Sequence, residues 1–127
     1  MKKYIKPTLK WLLVLFFIAP GIMKLSGQAA MIEAFAGFGY STAFMYFIGA
    51  CEVLGALGIA FGKRVHPKLP TLAVTGLIII MAGAIYSHIS SGDPYTAVIP
   101  AIVNVVLLAI YCKLLSNSPA PETPTTN

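Results

Sequence analysis

Residues 42–62 read TAFMYFIGACEVLGALGIAFG, an apolar stretch with a single formally charged side chain, that of Glu52. A transmembrane helix needs about 20 mostly apolar residues, because it rises about 1.5 Å per residue across about 30 Å of hydrocarbon. This stretch has that length and composition. A lipid-facing barrel strand would span about ten residues with strict alternation of polarity, which is absent here. The stretch therefore predicts a membrane-spanning helix.

Three further stretches have the same character, at about residues 9–25, 69–89 and 95–115. The third of the four spans has no formal charge and holds His88 near its end, and the fourth is uncharged until Lys113. The predicted fold class is all-α, an integral membrane bundle of four transmembrane helices. The first span has an alternative interpretation as a cleaved signal peptide, although it lacks a clean cleavage pattern.

The domain organisation is correspondingly simple. Residues 1–115 are predicted to form one transmembrane domain, and residues 116–127 a disordered cytoplasmic tail, because the tail is proline-rich and has no large apolar side chain. Between the first two spans, Met31, Ile32, Phe35 and Phe38 recur at helical spacing. This spacing predicts a short amphipathic helix at the outer membrane interface.

The overall composition excludes several classes of protein. The chain is 57% hydrophobic and only 10% charged, whereas a soluble domain carries about 25% charged residues. So few charges cannot cover a water-facing surface, which excludes an ordinary soluble enzyme and a disordered protein. The net charge of +5 does not indicate nucleic-acid binding, because the positive side chains flank apolar stretches and form no basic face.

The positive charges predict the orientation of the chain, since cytoplasmic loops retain Lys and Arg. Eight of the nine lie on one side of the predicted membrane: Lys2, Lys3, Lys6, Lys10, Lys63, Arg64, Lys68 and Lys113. The other side has only Lys24, with the acidic Glu33 and Asp93. We therefore expect both termini to lie in the cytoplasm.

Ionisable and polar side chains within spans are costly and therefore mark candidate sites. Glu52 lies about ten residues into its span, or about 15 Å deep. Lys24 and His88 lie near the outer ends of the first and third spans, and Asn104 lies within the fourth. These four residues are predicted to line one polar ligand pocket, in which a water or a ligand would bridge Glu52 and His88.

Each candidate also has a structural interpretation. Lys24 would extend to the outer headgroups, His88 would cap its helix, and Asn104 would form an interhelical hydrogen bond. Glu52 would be a neutral carboxyl group that hydrogen-bonds between helices. No motif assigns a catalytic residue, and the sequence contains no metal-ligand cluster.

Glycine and other small residues are predicted to bring the helices close together. Six glycines are the candidates for helix packing: Gly49, Gly55, Gly58, Gly62, Gly76 and Gly83. Two of them, Gly58 and Gly62, form a GxxxG motif, which indicates close helix contact or dimerisation.

Three segments occur in order: APGIMKLSG at residues 19–27, IGACEVLGALGIAFG at residues 48–62 and IIIMAGAIYSHISSGD at residues 78–93. Together they resemble the DoxX-like family of small bacterial membrane proteins. The resemblance implies a four-helix domain in the bacterial inner membrane. Some relatives are linked to thiosulfate:quinone oxidation, and others to membrane redox or oxidative-stress complexes.

Three functions follow from these features and stay open at this point. The first is a small-ligand pocket around Glu52, with Lys24 and His88 at its mouth, for which quinone is the candidate ligand. The second is a non-catalytic subunit that organises a membrane redox or sulfur complex, with a partner protein or as a homo-oligomer. The third is a proton or small-solute conduit that uses Glu52. Whether the protein is an enzyme is left open.

Overall fold

The computed structural model describes residues 2–117, so the predicted disordered tail lies outside the described residues except at Ser116 and Asn117. The described chain contains five α-helices. In chain order they are α1 (Lys2–Leu25), α2 (Ala29–Gly37), α3 (Thr42–Phe61), α4 (Leu69–Ser90) and α5 (Ile99–Ser116). Short 3₁₀ turns follow α3 at Gly62–Arg64 and precede α5 at Tyr95–Ala97.

Four of these helices, α1, α3, α4 and α5, are long and apolar enough to cross a membrane. They coincide with the four predicted spans, so the predicted all-α membrane fold is confirmed. The short helix α2 occupies the segment for which an interfacial helix was predicted, and none of its residues is buried.

Local chemistry explains where the helices begin. The Ser41 hydroxyl caps α3 by accepting a hydrogen bond of 3.1 Å from the Phe44 amide. Pro70 and Pro100 lie in the first turns of α4 and α5, where a backbone N–H has no helical partner to lose. Pro100 therefore lies at the start of its helix and does not interrupt it. Pro20, in contrast, lies within α1.

The four long helices form a closed ring in which α3 packs against α1 and α4, and α5 packs against α4 and α1. The helices α1 and α3 are antiparallel. The Trp11 and Phe61 rings meet at 6.2 Å near one end, and Gly21 lies against Gly49 near the other. We call the end that holds residues 62–68 the basic end, and the end that holds α2 the α2 end.

The interior is a layer of interlocking apolar side chains contributed by all four long helices. Leu13 and Phe17 of α1, Ala56 of α3, Val74 of α4 and Leu108 of α5 are all fully buried there. The first predicted span is thus an integral part of the packed bundle. Within the described chain, the buried polar or charged side chains are those of Glu52 and Ser87.

Candidate functional site

An ion pair joins α1 to α3 inside the bundle. The Lys24 Nζ lies 2.8 Å from the Glu52 Oε1, and the two side chains are only 12% and 2% exposed. Side chains on a helix lean toward its N-terminus. Lys24, in the last turn of α1, therefore extends back into the bundle and reaches a carboxyl group on the middle of α3. The ammonium group is bound to Glu52 and does not extend to the headgroups.

Two glycines make this pair possible by bringing α1 and α3 together. A Cβ atom on Gly49 would lie 2.8 Å from the Lys24 Cβ and 3.0 Å from the Gly21 carbonyl oxygen. A Cβ atom on Gly21 would lie 2.7 Å from the Val53 Cγ2. Such distances are closer than van der Waals contact allows. The two helices can therefore approach this closely only where both residues lack a side chain.

The pair is neutral as a unit, which explains how two charges are accommodated in this apolar interior. Each ion loses its hydration on burial, and only a close partner of opposite charge offsets that cost. In the described part of the chain, no buried side-chain nitrogen or oxygen lacks a hydrogen-bond partner. The arrangement therefore joins α1 to α3 without leaving either charge unpaired.

A second polar group lies at the α2 end, where α4 ends. The His88 Nδ1 lies 2.8 Å from the Asp93 Oδ2, and the Asp93 amide donates a 3.0 Å hydrogen bond to the His88 carbonyl oxygen. Gly92, with a φ of +74°, reverses the chain between them, which a residue without Cβ does at little cost. The Phe38 ring meets the imidazole edge-on at 4.9 Å. The orientation of the imidazole is thus held from two sides.

His88 and Asp93 form part of the wall of a cleft of about 260 Å³, which we call the end cleft. Its lining comes from α2 and from the turn that follows α4: Glu33, Ala34, Gly37, Phe38, His88, Ser91 and Asp93. Lys24 and Glu52 are not part of this lining. Within residues 2–117, no hydrogen bond or ion pair joins His88 to Glu52.

The four predicted pocket residues are therefore distributed over three places. Lys24 and Glu52 pair inside the bundle, and His88 faces the end cleft. Asn104 lies between α5 and α4, with its Nδ2 3.9 Å from the Met81 Sδ. The contact between His88 and Asp93 was not predicted from the sequence. Their spacing of five residues across the SGD turn could have indicated it.

The segment between α2 and α3 is anchored beside the end cleft. The Ser87 hydroxyl donates to the Gly83 carbonyl at 2.8 Å, so the Tyr40 hydroxyl, 2.8 Å away, donates to the Ser87 oxygen. The Tyr40 ring also packs against Phe38 and Phe44. These contacts join α2, α3 and α4 into one aromatic surface at the α2 end.

The six glycines proposed for helix packing differ in what surrounds them. A Cβ on Gly55 or Gly58 would meet Leu77 or Ala73 of α4 at about 2.7 or 2.8 Å, and one on Gly62 would meet Leu69. The GxxxG motif thus lies in the contact between α3 and α4 of the same chain. A Cβ on Gly76 or Gly83 would meet no atom within 4 Å.

Comparison with known proteins gives one match. The model of the DoxX-like family matches residues 8–111, which include all four long helices in part or in full. No curated protein and no solved structure matches the chain. Within the described residues, no group of three or more His, Cys, Asp or Glu side chains is arranged to hold a metal ion.

Proposed function

The chain belongs to the DoxX-like family, and on that premise we propose that this multi-pass membrane protein binds the ring of a quinone-type ligand in the end cleft. The observation that carries the proposal is the imidazole of His88, held by Asp93 and Phe38 in the wall of that cleft. A polar group held in one orientation beside an aromatic ring is typical of small-ligand sites. The bound ligand would supply the redox chemistry that the resemblance implies.

The size and chemistry of the end cleft fit such a ring. Its volume of about 260 Å³ is slightly below the roughly 300–1,000 Å³ of typical small-molecule pockets, so a single ring suits it better than a larger cofactor. Phe38 offers an aromatic contact and His88 a hydrogen-bonding nitrogen. Lys24 was the other candidate to contact the ligand, but its ammonium group is bound to Glu52. His88 is therefore the residue on which the proposal depends.

Replacing His88 with alanine should remove the ligand while the bundle stays folded. We expect the total of oxidised and reduced quinone that copurifies with the protein in mild detergent to fall about tenfold, the effect of losing a well-formed hydrogen bond. Mass spectrometry of the purified protein measures the retained quinone, lipids and proteins. The matched control is Tyr86→Ala on the same helix, whose side chain is 69% exposed and does not line the cleft.

Two outcomes of this experiment would contradict the proposal. One is equal quinone retention by the wild type, His88→Ala and Tyr86→Ala, which would indicate nonspecific partitioning into the detergent micelle. The other is a protein that copurifies at constant stoichiometry without any quinone. That second result would favour a non-catalytic subunit of a membrane complex.

We also propose that the basic end faces the cytoplasm of a bacterial inner membrane. By sequence, eight of the nine Lys and Arg residues fall on the predicted cytoplasmic side, and the ninth, Lys24, is paired with Glu52 inside the bundle. No unpaired Lys or Arg of the described chain therefore opposes them at the α2 end. This asymmetry supports the orientation, because positively charged loops are retained in the cytoplasm.

Labelling of introduced cysteines tests this orientation. Val65 at the basic end and Tyr95 at the α2 end are both 79% exposed, which makes them a matched pair. In a chain whose Cys51 and Cys112 are replaced by alanine, a membrane-impermeant maleimide should label Tyr95→Cys in intact cells. It should label Val65→Cys only after the membrane is permeabilised. The reverse pattern would place the termini outside.

A further inference from the structure

We infer that the end cleft prefers the reduced, hydroxyl-bearing form of its ring ligand to the oxidised, carbonyl-bearing form. The inference rests on the proposed function, because it assumes that such a ring binds in this cleft. It concerns the direction of the hydrogen bonds that the lining side chains can make. These directions follow from the contact between His88 and Asp93 and from the chemistry of the other lining groups.

The proton between His88 and Asp93 determines what His88 offers to a ligand. An ionised carboxylate can only accept hydrogen bonds, so at a distance of 2.8 Å the proton must be carried by the His88 Nδ1. The inference concerns the neutral imidazole, in which the Nε2 has a lone pair and acts as an acceptor; in a protonated imidazole both nitrogens would donate. No side chain or backbone group within residues 2–117 forms a hydrogen bond with this Nε2. It is therefore available to accept a hydrogen bond from a ligand.

The other polar groups of the lining also mainly accept hydrogen bonds. The carboxylates of Glu33 and Asp93 accept hydrogen bonds, and the Ser91 hydroxyl can either donate or accept. No lysine or arginine lines the cleft, and Lys24, the cation on the neighbouring helix end, is 2.8 Å from Glu52 instead. The lining is thus rich in acceptors and poor in donors.

A quinone ring needs hydrogen-bond donors around its oxygens, whereas its reduced form needs hydrogen-bond acceptors. The two carbonyl oxygens of a quinone only accept hydrogen bonds, so they would face acceptors and stay unpaired. The two hydroxyl groups of the reduced ring donate, and each finds an acceptor in His88 or in a carboxylate. A carbonyl oxygen that faces these acceptors loses hydrogen bonds to water and gains none from the protein, which costs binding energy. The reduced ring therefore fits this lining better.

The test compares three ligands that share one ring, namely duroquinol, duroquinone and the dimethyl ether of duroquinol. Binding to the protein in lipid nanodiscs is measured without oxygen by saturation-transfer NMR titration. We expect the wild type to bind duroquinol about tenfold more tightly than either of the other two. The dimethyl ether has no hydroxyl hydrogen, so tight binding of this compound would overturn the inference.

Asp93 is the positioning residue in this scheme, and its amide variant gives a readout that stability does not affect. In Asp93→Asn, the side-chain amide can donate to the His88 Nδ1, which moves the imidazole proton to Nε2 and makes that atom a donor. The preference for duroquinol should then vanish or reverse. If this variant does not fold, Glu33→Gln, a change at an exposed residue of α2, should still reduce the preference.

The outcomes separate this inference from the proposed function. The proposed function fails if the wild type binds none of the three rings. It also fails if the His88→Ala variant binds them as tightly as the wild type does. If His88 is required but duroquinone binds as tightly as duroquinol, the proposed function stands and only the preference is overturned. A preference that is unchanged in both Asp93→Asn and Glu33→Gln would also overturn it, because the acceptor groups would then play no part.

Discussion

Replacing Glu52 with leucine while Lys24 is retained should destabilise the bundle by about 3–5 kcal/mol, because it leaves a buried ammonium group without its partner. The Glu52 side chain is 2% exposed and that of Lys24 only 12%, so water cannot replace the missing carboxylate without opening the bundle. Replacing Lys24 alone with methionine should have an effect of similar size. Unfolding in mixed detergent micelles, followed by circular dichroism, measures both free energies of unfolding.

The double variant Lys24→Met/Glu52→Leu should recover most of this loss. Apolar side chains of similar volume often replace a buried ion pair at little cost, since neither charge then has to be dehydrated. The control is Glu33→Gln on α2, whose exposed carboxylate should change the free energy of unfolding by less than about 0.5 kcal/mol. If Glu52→Leu alone unfolds like the wild type, the pair does not hold α1 against α3.

The pair also bears on the conduit hypothesis. A conduit that uses Glu52 requires a carboxyl group that exchanges protons with water. Glu52 is instead almost fully buried and bound to an ammonium group at 2.8 Å. If the double variant folds and still retains quinone, the pair acts as a structural contact between α1 and α3. Loss of quinone retention in a stable double variant would assign the pair a part in binding.

The membrane fold was predictable because it depends on quantities that the sequence displays directly. The length of each apolar stretch and the near absence of charge within it define the four spans. The burial of Glu52 was predictable for the same reason. Its pairing with Lys24 was harder to predict, because counting residues gives only the depth of the Lys24 Cα. The ammonium group lies deeper in the bundle, because the side chain leans back along α1.

The contacts of His88 and of the α4 glycines depend on geometry that composition does not reveal. Asp93 reaches His88 only because Gly92 adopts a positive φ in the turn between them. The apolar residues of α4 surround the whole helix, so no periodicity distinguishes the side that faces the bundle from the side that faces lipid. Gly76 and Gly83 therefore looked like packing residues, although a Cβ on either would have open space.

Two substitutions that each add one methyl group, Gly49→Ala and Gly76→Ala, should differ in their effect on the free energy of unfolding. At Gly49 the new Cβ would overlap the Lys24 Cβ and the Gly21 backbone, which cannot move without separating α1 from α3. We expect a loss of about 1–3 kcal/mol from overpacking. At Gly76 the methyl group meets nothing within 4 Å, so the change should be neutral or stabilise the helix by up to about 1 kcal/mol. Equal effects at both positions would contradict the close approach of α1 and α3.

The same change at Gly49 can also show whether this glycine acts through the ion pair. If the close approach serves to place Lys24 next to Glu52, Gly49→Ala should cost much less in the Lys24→Met/Glu52→Leu background, where no pair remains to be disturbed. Residues in contact show such coupling, whereas independent sites are additive within about 0.3–0.5 kcal/mol. An undiminished loss in that background would mean that Gly49 serves helix packing alone. A diminished loss would mean that the glycine contact and the buried charges form one structural unit.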